Sequence, residues 1–175
     1  MDPFPNDGGE MKLSQRGDEF SIKLPGKRGE LMNSRNYNSE KTLSQLGCAH
    51  IKPHLEAHIL VGGLGMGYTL AAALKAVNSG SQVTVAELVP EVVEWNKGPL
   101  GNCAGNPLQD PRTKVHIGDV KELLTSRQPT FDAILLDVDN GPKGLTHSDN
   151  NWIYSEDGLK DIYDTLQPNG MLAIW

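Results

Sequence analysis

The sequence predicts an α/β fold: a Rossmann-like parallel sheet with helices on both faces, preceded by a small β-hairpin element. Three observations carry that reading. A short apolar run at 59–61 leads into Gly62, Gly63, Gly65 and Gly67, and then into an Ala/Leu-rich stretch reaching Leu74. Strand, glycine loop and helix in this order make the first crossing of a nucleotide-binding βαβ unit, where glycine admits positive φ and lets a ligand approach with no Cβ in the way. The stretch 83–87 reads as the next strand and ends in Glu87. That is about 20 residues beyond the loop, where such folds place an acid to accept hydrogen bonds from ribose hydroxyls. From there to the end of the chain strand and helix patterns alternate, which implies parallel strands joined by crossover helices.

In order along the chain, residues 1–10 read as a disordered leader. Residues 11–15 and 19–24 alternate apolar and polar side chains around an Arg16-Gly17-Asp18 turn. Pro25-Gly26 makes a second turn, and 30–32 a third short strand. A short helix covers 39–46, with Ser39 as its N-cap and Gly47 as its stop. Residues 11–50 thus form a small β-hairpin or meander with a short helix, and 51–175 a nucleoside-cofactor-binding domain. In that domain strand 57–62 leads to helix 67–78, and strand 82–87 to a helix over 90–97 opened by Pro90. After a Gly/Pro/Asn-rich loop over 98–112, strand 113–117 leads to helix 120–127. Strand 131–137 contains the continuous apolar run of a central strand at 133–136. A loop over 138–154, a helix over 155–166, a Pro168-Asn169-Gly170 turn and strand 171–175 complete the order. The chain stops inside that strand. The sheet is therefore expected to be truncated at its C-terminal end, the chain to be part of a longer protein, and the apolar last edge to favour a homodimer.

Composition narrows the function. The 175 residues suit one domain with a small appendage. A net charge of −6 argues against non-specific binding to nucleic acid or anionic membrane and favours a cationic small-molecule acceptor. The basic residues are scattered, with no stripe and no aromatic interleaving. No apolar run approaches the roughly 18 residues of a membrane span, and the N-terminus lacks the apolar region of a signal peptide. Cys48 and Cys103 have no metal or redox spacing, so a cytoplasmic protein with two free thiols is expected. His50, His54 and His58 fall at helical spacing, but Pro53 breaks such a helix, and no metal site is read there. Asp137, Asp139, Asn140 and Asp149 could collect a hard divalent cation; the preferred reading is an acidic rim that attracts an amine. Trp152 and Tyr154 either wall a substrate pocket or pack the helix after them. Cys103 has no neighbouring cation to activate it.

Several segments together resemble one family. They are Leu31-Met-Asn-Ser-Arg35, Leu60-Val-Gly-Gly-Leu-Gly-Met-Gly67, Val85-Ala-Glu-Leu-Val-Pro-Glu91, Asp110-Pro-Arg-Thr-Lys-Val-His-Ile-Gly-Asp119 and Phe131-Asp-Ala-Ile-Leu-Leu-Asp137. In this order, over residues 11–175, they resemble the spermidine/spermine synthase-like branch (polyamine aminopropyltransferase-like) of the class I S-adenosylmethionine-dependent transferases. The resemblance implies that the Gly62–Gly67 loop passes under the methionine part of the cofactor, that Glu87 holds the ribose diol, and that Asp119 with the backbone of Val120 binds adenine. It also makes Asp137 the group that orients the acceptor or takes its proton, with Asp139 as the second acid beside it.

The departures from the family pattern shape the expected chemistry. The family carries an Asp in the glycine loop that holds the free amine of decarboxylated S-adenosylmethionine; Gly65 stands in that position here. The family's Asp-Ser-Ser-Asp-Pro element reads Asp137-Val-Asp-Asn-Gly-Pro142, and its Tyr-His-Glu element reads Asn38-Ser39-Glu40. Without the loop acid, a barrier to the carboxylate of ordinary S-adenosylmethionine is gone. The expectation is a transferase moving an alkyl group, methyl favoured, from S-adenosylmethionine to a small acceptor, with S-adenosylhomocysteine as product. The alternative is aminopropyl transfer to a polyamine, leaving methylthioadenosine; a second alternative is a non-catalytic nucleoside-binding domain.

Overall fold

The computed structural model describes residues 11–24, 29–53, 55–126, 128–138 and 152–175. The predicted leader, the Pro25-Gly26 turn, His54, Asp139, Asn140 and Asp149 lie outside the described residues. Three short strands come first: β1 (Lys12–Arg16), β2 (Glu19–Leu24) and β3 (Gly29–Asn33), an antiparallel sheet in that order. Arg16 pairs with Glu19 across a two-residue loop in which Gly17 has φ 61°. A hairpin this tight needs positive φ at that position, and glycine supplies it.

Next come α1 (Asn38–Gly47), β4 (His58–Gly62), α2 (Tyr68–Ala76), β5 (Gln82–Glu87) and α3 (Pro90–Lys97). They are followed by β6 (Thr113–Ile117), α4 (Val120–Leu124), β7 (Phe131–Leu136), α5 (Glu156–Thr165) and β8 (Leu166–Ile174). The five later strands are parallel, in the order β6-β5-β4-β7-β8. Period-two alternation sorts their side chains onto two faces. Ile59, Val61, Val83, Val85 and Leu135 bury against Leu43 of α1, Leu70 and Leu74 of α2 and Val93 of α3. Leu60, Ala86, Ile134 and Leu136 bury against Val120 and Leu124 of α4 and Ile162 of α5. Burial of each such side chain contributes roughly 1.5–3 kcal/mol. That outweighs the poor intrinsic stability of a helix as short as α4, which is marginal alone.

Three local expectations fail for identifiable reasons. Ser39 is not the N-cap of α1: Tyr37 precedes the helix without a side-chain cap, and its ring stacks on Tyr68 at 4.7 Å between centroids. Gly47 does not end α1 in a left-handed conformation. It is the last helical residue, and a Cβ there would run into the side chain of Leu135, so glycine lets α1 lie close on β7. The Pro168-Asn169-Gly170 turn is real but lies within β8. Leu166 pairs with Phe131 and Met171 with Ala133, so the turn is accommodated as a bulge, with Asn169 at φ 67°.

The chain leaves β4 towards β5 and β6, then returns to β7 on the other flank of β4. The strand order therefore reverses between β4 and β7, which opens a crevice at their carboxyl ends. The small sheet closes over that crevice through Ile22, Leu31 and Met32, which pack with Met66, Leu100 and Tyr68. Among the described residues no helix is long and apolar enough to cross a membrane.

Candidate active site

The crevice is a cleft with about 950 Å³ of empty space, its open mouth included. Of the residues singled out from sequence, Gly63, Gly65, Glu87, Asp119, Val120 and Asp137 line it. Gly62 and Gly67 are not among its lining. Gly62 ends β4, where a Cβ would stand 2.8 Å from the Leu136 side chain; Gly67 precedes α2 at φ 82°, with Asn96 Oδ1 3.0 Å from its Cβ position. Both shape the loop from behind.

The loop is pinned to the strand ends. Gly63 donates its N–H to the Ala86 carbonyl at 2.9 Å, and the Asp137 N–H donates to the Gly62 carbonyl at 2.8 Å. Gly63 has φ 87°, and a Cβ would collide with the Asp137 carbonyl. Backbone conformation and space thus both demand glycine there. Asn96 of α3 supports the loop from below by donating through Nδ2 to the Gly65 carbonyl at 2.8 Å and to the Val92 carbonyl at 2.9 Å.

Glu87 is buried at the end of β5. Its Oε2 accepts from the Leu64 N–H and its Oε1 from the Val89 N–H, both at 2.9 Å. Burial pushes its pKa up, and these backbone donors pull the other way. The N–H groups of Gly65 and Leu88 also face the carboxylate, so the loop and the start of α3 hold it from several sides. Asp119 caps α4: its Oδ1 accepts from the Lys121 N–H at 2.9 Å. Asp137 follows β7, and its Oδ2 accepts from Thr69 Oγ1 at 2.8 Å. Burial raises its pKa, the Thr69 hydroxyl lowers it, and the charge of Glu40 raises it further. Glu40 lines the same cleft from α1, and its Oε2 accepts from Ser39 Oγ at 2.6 Å. Among the described residues the cleft therefore carries four acids, from α1 and three strand ends, each held by neutral donors.

Thr69 and Asn96 are absent from the sequence reading, and Met32 enters it only within the third strand and the Leu31–Arg35 segment, with no role of its own. Thr69 is a buried residue in the first turn of α2, its carbonyl fixed by Ser44 Oγ at 2.9 Å, and its partner lies 68 positions away. No local spacing announces such a contact. Glu40 had one signal, its match to the family's acid.

Other singled-out residues have structural surroundings. In the Asp-Pro-Arg element, Arg112 pairs with Asp110 through two contacts, Nε at 2.9 Å and Nη2 at 2.8 Å. Its Nη1 donates to the Val77 and Asn78 carbonyls. The guanidinium holds the Asp110 carboxyl below the usual range. This motif ties the loop before β6 to the end of α2. Trp152 and Tyr154 pack beside the cluster under α4 and α5, with Lys121 Nζ 5.0 Å from the Trp152 ring centroid. His50 Nε2 lies 3.0 Å from the Asp132 carbonyl oxygen. Among the described residues no group of three or more His, Cys, Asp or Glu could hold a metal. Both cysteines are free. Burial pushes the Cys48 thiol up to about 11 and raises that of Cys103, the opposite of activation.

A family model described as the spermine/spermidine synthase domain matches residues 40–174. The polyamine aminopropyltransferase of Sulfolobus acidocaldarius is 29% identical over 116 residues, 66% of this chain and 37% of that protein. The polyamine aminopropyltransferase of Korarchaeum cryptofilum is 34% identical over 83 residues, 47% of this chain and 25% of that protein. The chain thus spans well under half the length of these curated relatives. Among solved structures, spermidine synthase from Thermotoga maritima aligns with a TM-score of 0.66 and 19% identity, over 93% of this chain and 55% of that one. The O-methyltransferase from Bacillus cereus in complex with SAH aligns with a TM-score of 0.53 and 19% identity, over 77% of this chain and 54% of that one. At such identities the structural likenesses establish the fold, Rossmann-like as in S-adenosyl-dependent transferases. The match over most of its length establishes more: the chain belongs to the spermine/spermidine synthase family.

Proposed function

We propose that this chain carries the cofactor-binding cleft of a polyamine aminopropyltransferase. The activity would move an aminopropyl group from decarboxylated S-adenosylmethionine to a small cationic amine and leave methylthioadenosine. The carrying observation is that Glu87, Asp119 and Asp137 come from three strand ends and line one cleft. The curated relatives are polyamine aminopropyltransferases. This weighs the transferred group towards aminopropyl and away from methyl, which the glycine at position 65 alone had favoured.

The sulfonium of the cofactor supplies an electrophilic carbon whose bond to sulfur breaks with the electron pair going to sulfur. The residues of the chain do the rest. Glu87 accepts from the ribose hydroxyls, and Asp119 with the Val120 backbone pairs with adenine. Gly63 and Gly65 admit the tail. Asp137, with Thr69 fixing one oxygen, orients the acceptor ammonium and takes its proton, so that the freed nitrogen lone pair forms the new bond to carbon. A buried carboxylate with a raised pKa suits that task. Asp139 is the second acid proposed beside it. We assign a cytoplasmic location on the two free thiols. We also propose a homodimer through the outer edge of β8, which light scattering would test.

Calorimetry with methylthioadenosine, decarboxylated S-adenosylmethionine, S-adenosylmethionine and NAD tests the reading. The nucleoside thioether and the decarboxylated cofactor should bind and NAD should not; mass spectrometry of a diamine incubated with the decarboxylated cofactor should find the added aminopropyl unit. Methyl transfer is the second reading, favoured by Gly65, and would be revealed by tighter binding of S-adenosylmethionine.

A further inference from the structure

We propose that Glu40 on α1 is the acid that selects the cofactor tail in this chain, in place of an acid on the glycine loop. The inference rests on the aminopropyl reading above and names the residue that would give it selectivity. Two features of the cleft carry it.

The first is what stands in front of Gly65. The Sδ and Cε atoms of Met32 each lie 3.2 Å from the position a Gly65 Cβ would take. An ammonium brought against the loop at this point meets a thioether, which is a weak acceptor and carries no charge. The small sheet has filled with an apolar side chain the space an acid would need.

The second is where another acid of the cleft sits. Glu40 lines the same cleft as Gly65, Tyr68, Thr69 and Asp137. Its charge is felt at Tyr68, the first residue of α2, and at Asp137 beyond β7. The Tyr68 hydroxyl is pushed up to about 12 by burial first, with Cys103, Tyr37 and Glu40 adding to it; Glu40 also adds to the effect of burial on Asp137. Ser39 fixes one oxygen of Glu40 through a 2.6 Å hydrogen bond, which leaves the other for a ligand donor. A nucleoside anchored at Glu87 and Asp119 sends its tail along the glycine loop towards the first turn of α2. A tail ending in an ammonium is attracted by Glu40 and Asp137 together. A tail that also carries a carboxylate is repelled by both.

The test is calorimetry on this chain with methylthioadenosine, decarboxylated S-adenosylmethionine and S-adenosylmethionine, using wild type, Glu40→Gln and Glu40→Ala. Glu40→Gln keeps the shape of the side chain and an acceptor for Ser39, and a thermal melt checks each variant's fold. Wild type should bind the decarboxylated form at least tenfold tighter than S-adenosylmethionine. Both variants should narrow that preference to threefold or less while methylthioadenosine, with no charged tail, binds unchanged. A preference retained in whichever variant folds overturns the proposal, as does a wild type that prefers S-adenosylmethionine. Equal weakening of methylthioadenosine also overturns it, by showing that Glu40 acts on the shape of the cleft. Failure of methylthioadenosine to bind wild type sinks the nucleoside reading of the cleft, and the proposal with it.

Discussion

Polar residues stand at both ends of the parallel sheet, and the two ends are organised differently. At the amino end, β4 starts with His58, β5 with Gln82, and β7 has Asp132 as its second residue. There the polar groups serve one another. His58 Nε2 lies 2.9 Å from both Thr84 Oγ1 and Gln82 Nε2, and Asp132 Oδ2 accepts from the His58 N–H at 2.7 Å. At the carboxyl end, Glu87, Asp119 and Asp137 are each held by neutral backbone or hydroxyl donors, and among the described residues no cation pairs with them. The first arrangement closes the sheet. The second holds negative charge in place at the cleft. What distinguishes a site from a scaffold is whether the polar groups satisfy one another.

The largest expected effect tests the open end at Asp137. In an aminopropyl-transfer assay, Asp137→Asn should lower the rate about 10²–10⁴-fold, the usual contribution of a positioned general base. The same change should stabilise the fold at neutral pH. The folded-state pKa of Asp137 is raised by burial first. Its favourable contribution is therefore present below the ordinary aspartate range and lost as pH rises through the folded value. Asparagine carries no such loss and still accepts from Thr69. The difference in Tm between variant and wild type should thus grow in favour of the variant from about pH 4 to about pH 8. An active variant, or one whose stability difference is flat with pH, breaks the comparison.

Next in size is the seam where loop and β7 meet. Gly63→Ala places a Cβ at positive φ against the Asp137 carbonyl. Strain at such a φ costs about 1–3 kcal/mol, and overpacking adds roughly 1–3 kcal/mol more. Urea denaturation should report a loss on that scale, together with loss of methylthioadenosine binding. A variant as stable as wild type would mean the loop is not locked to the strand end.

Much of this is legible in sequence, and the boundary has physical causes. The parallel strands declare themselves through alternation or continuous apolar runs, so β5, α3 and β6 fall where periodicity puts them. Glu87, Asp119 and Asp137 share one signature, an acid at or within two residues of the end of a strand, and one cleft unites them. Thr69 and Asn96 do not share it, because their roles depend on which strands become neighbours. Gly47 misleads for a similar reason: glycine serves turns and close approaches alike, and only the packing of α1 on β7 tells them apart. The Asp-Pro-Arg element is specific to the family, yet its surroundings are architectural.

Glu87 is expected to give a smaller effect than Gly63. Glu87→Gln retains one accepting oxygen but turns the other position into a donor facing either the Leu64 or the Val89 N–H. Losing hydrogen bonds to a charged group costs roughly 1.5–3 kcal/mol, so calorimetry should record methylthioadenosine binding weakened by about 10–100-fold. Unchanged affinity would remove Glu87 from the ribose assignment and leave it as a brace for the loop alone.

The smallest expected effect belongs to the closed end, where ligand affinity should not change at all. The pKa of His58 is lowered by burial, and the charge of Asp132 offsets this in part. The facing groups are Gln82, Thr84 and Asp132, with the Phe131 ring tilted against the imidazole at 4.7 Å. Because the folded state resists protonation, the stability His58 contributes is present above its ordinary range near 6.5 and lost as pH falls through the folded value. His58→Gln should cost about 1 kcal/mol at neutral pH through its lost hydrogen bonds, which is a Tm shift of about 2–4 °C for a chain of this size. The deficit should shrink as pH is lowered towards about 5, because the variant has no imidazole to protonate. Methylthioadenosine should bind wild type and variant alike. A variant that loses ligand affinity would show that the two ends of the sheet are coupled, and the division between closed scaffold and open site would no longer hold.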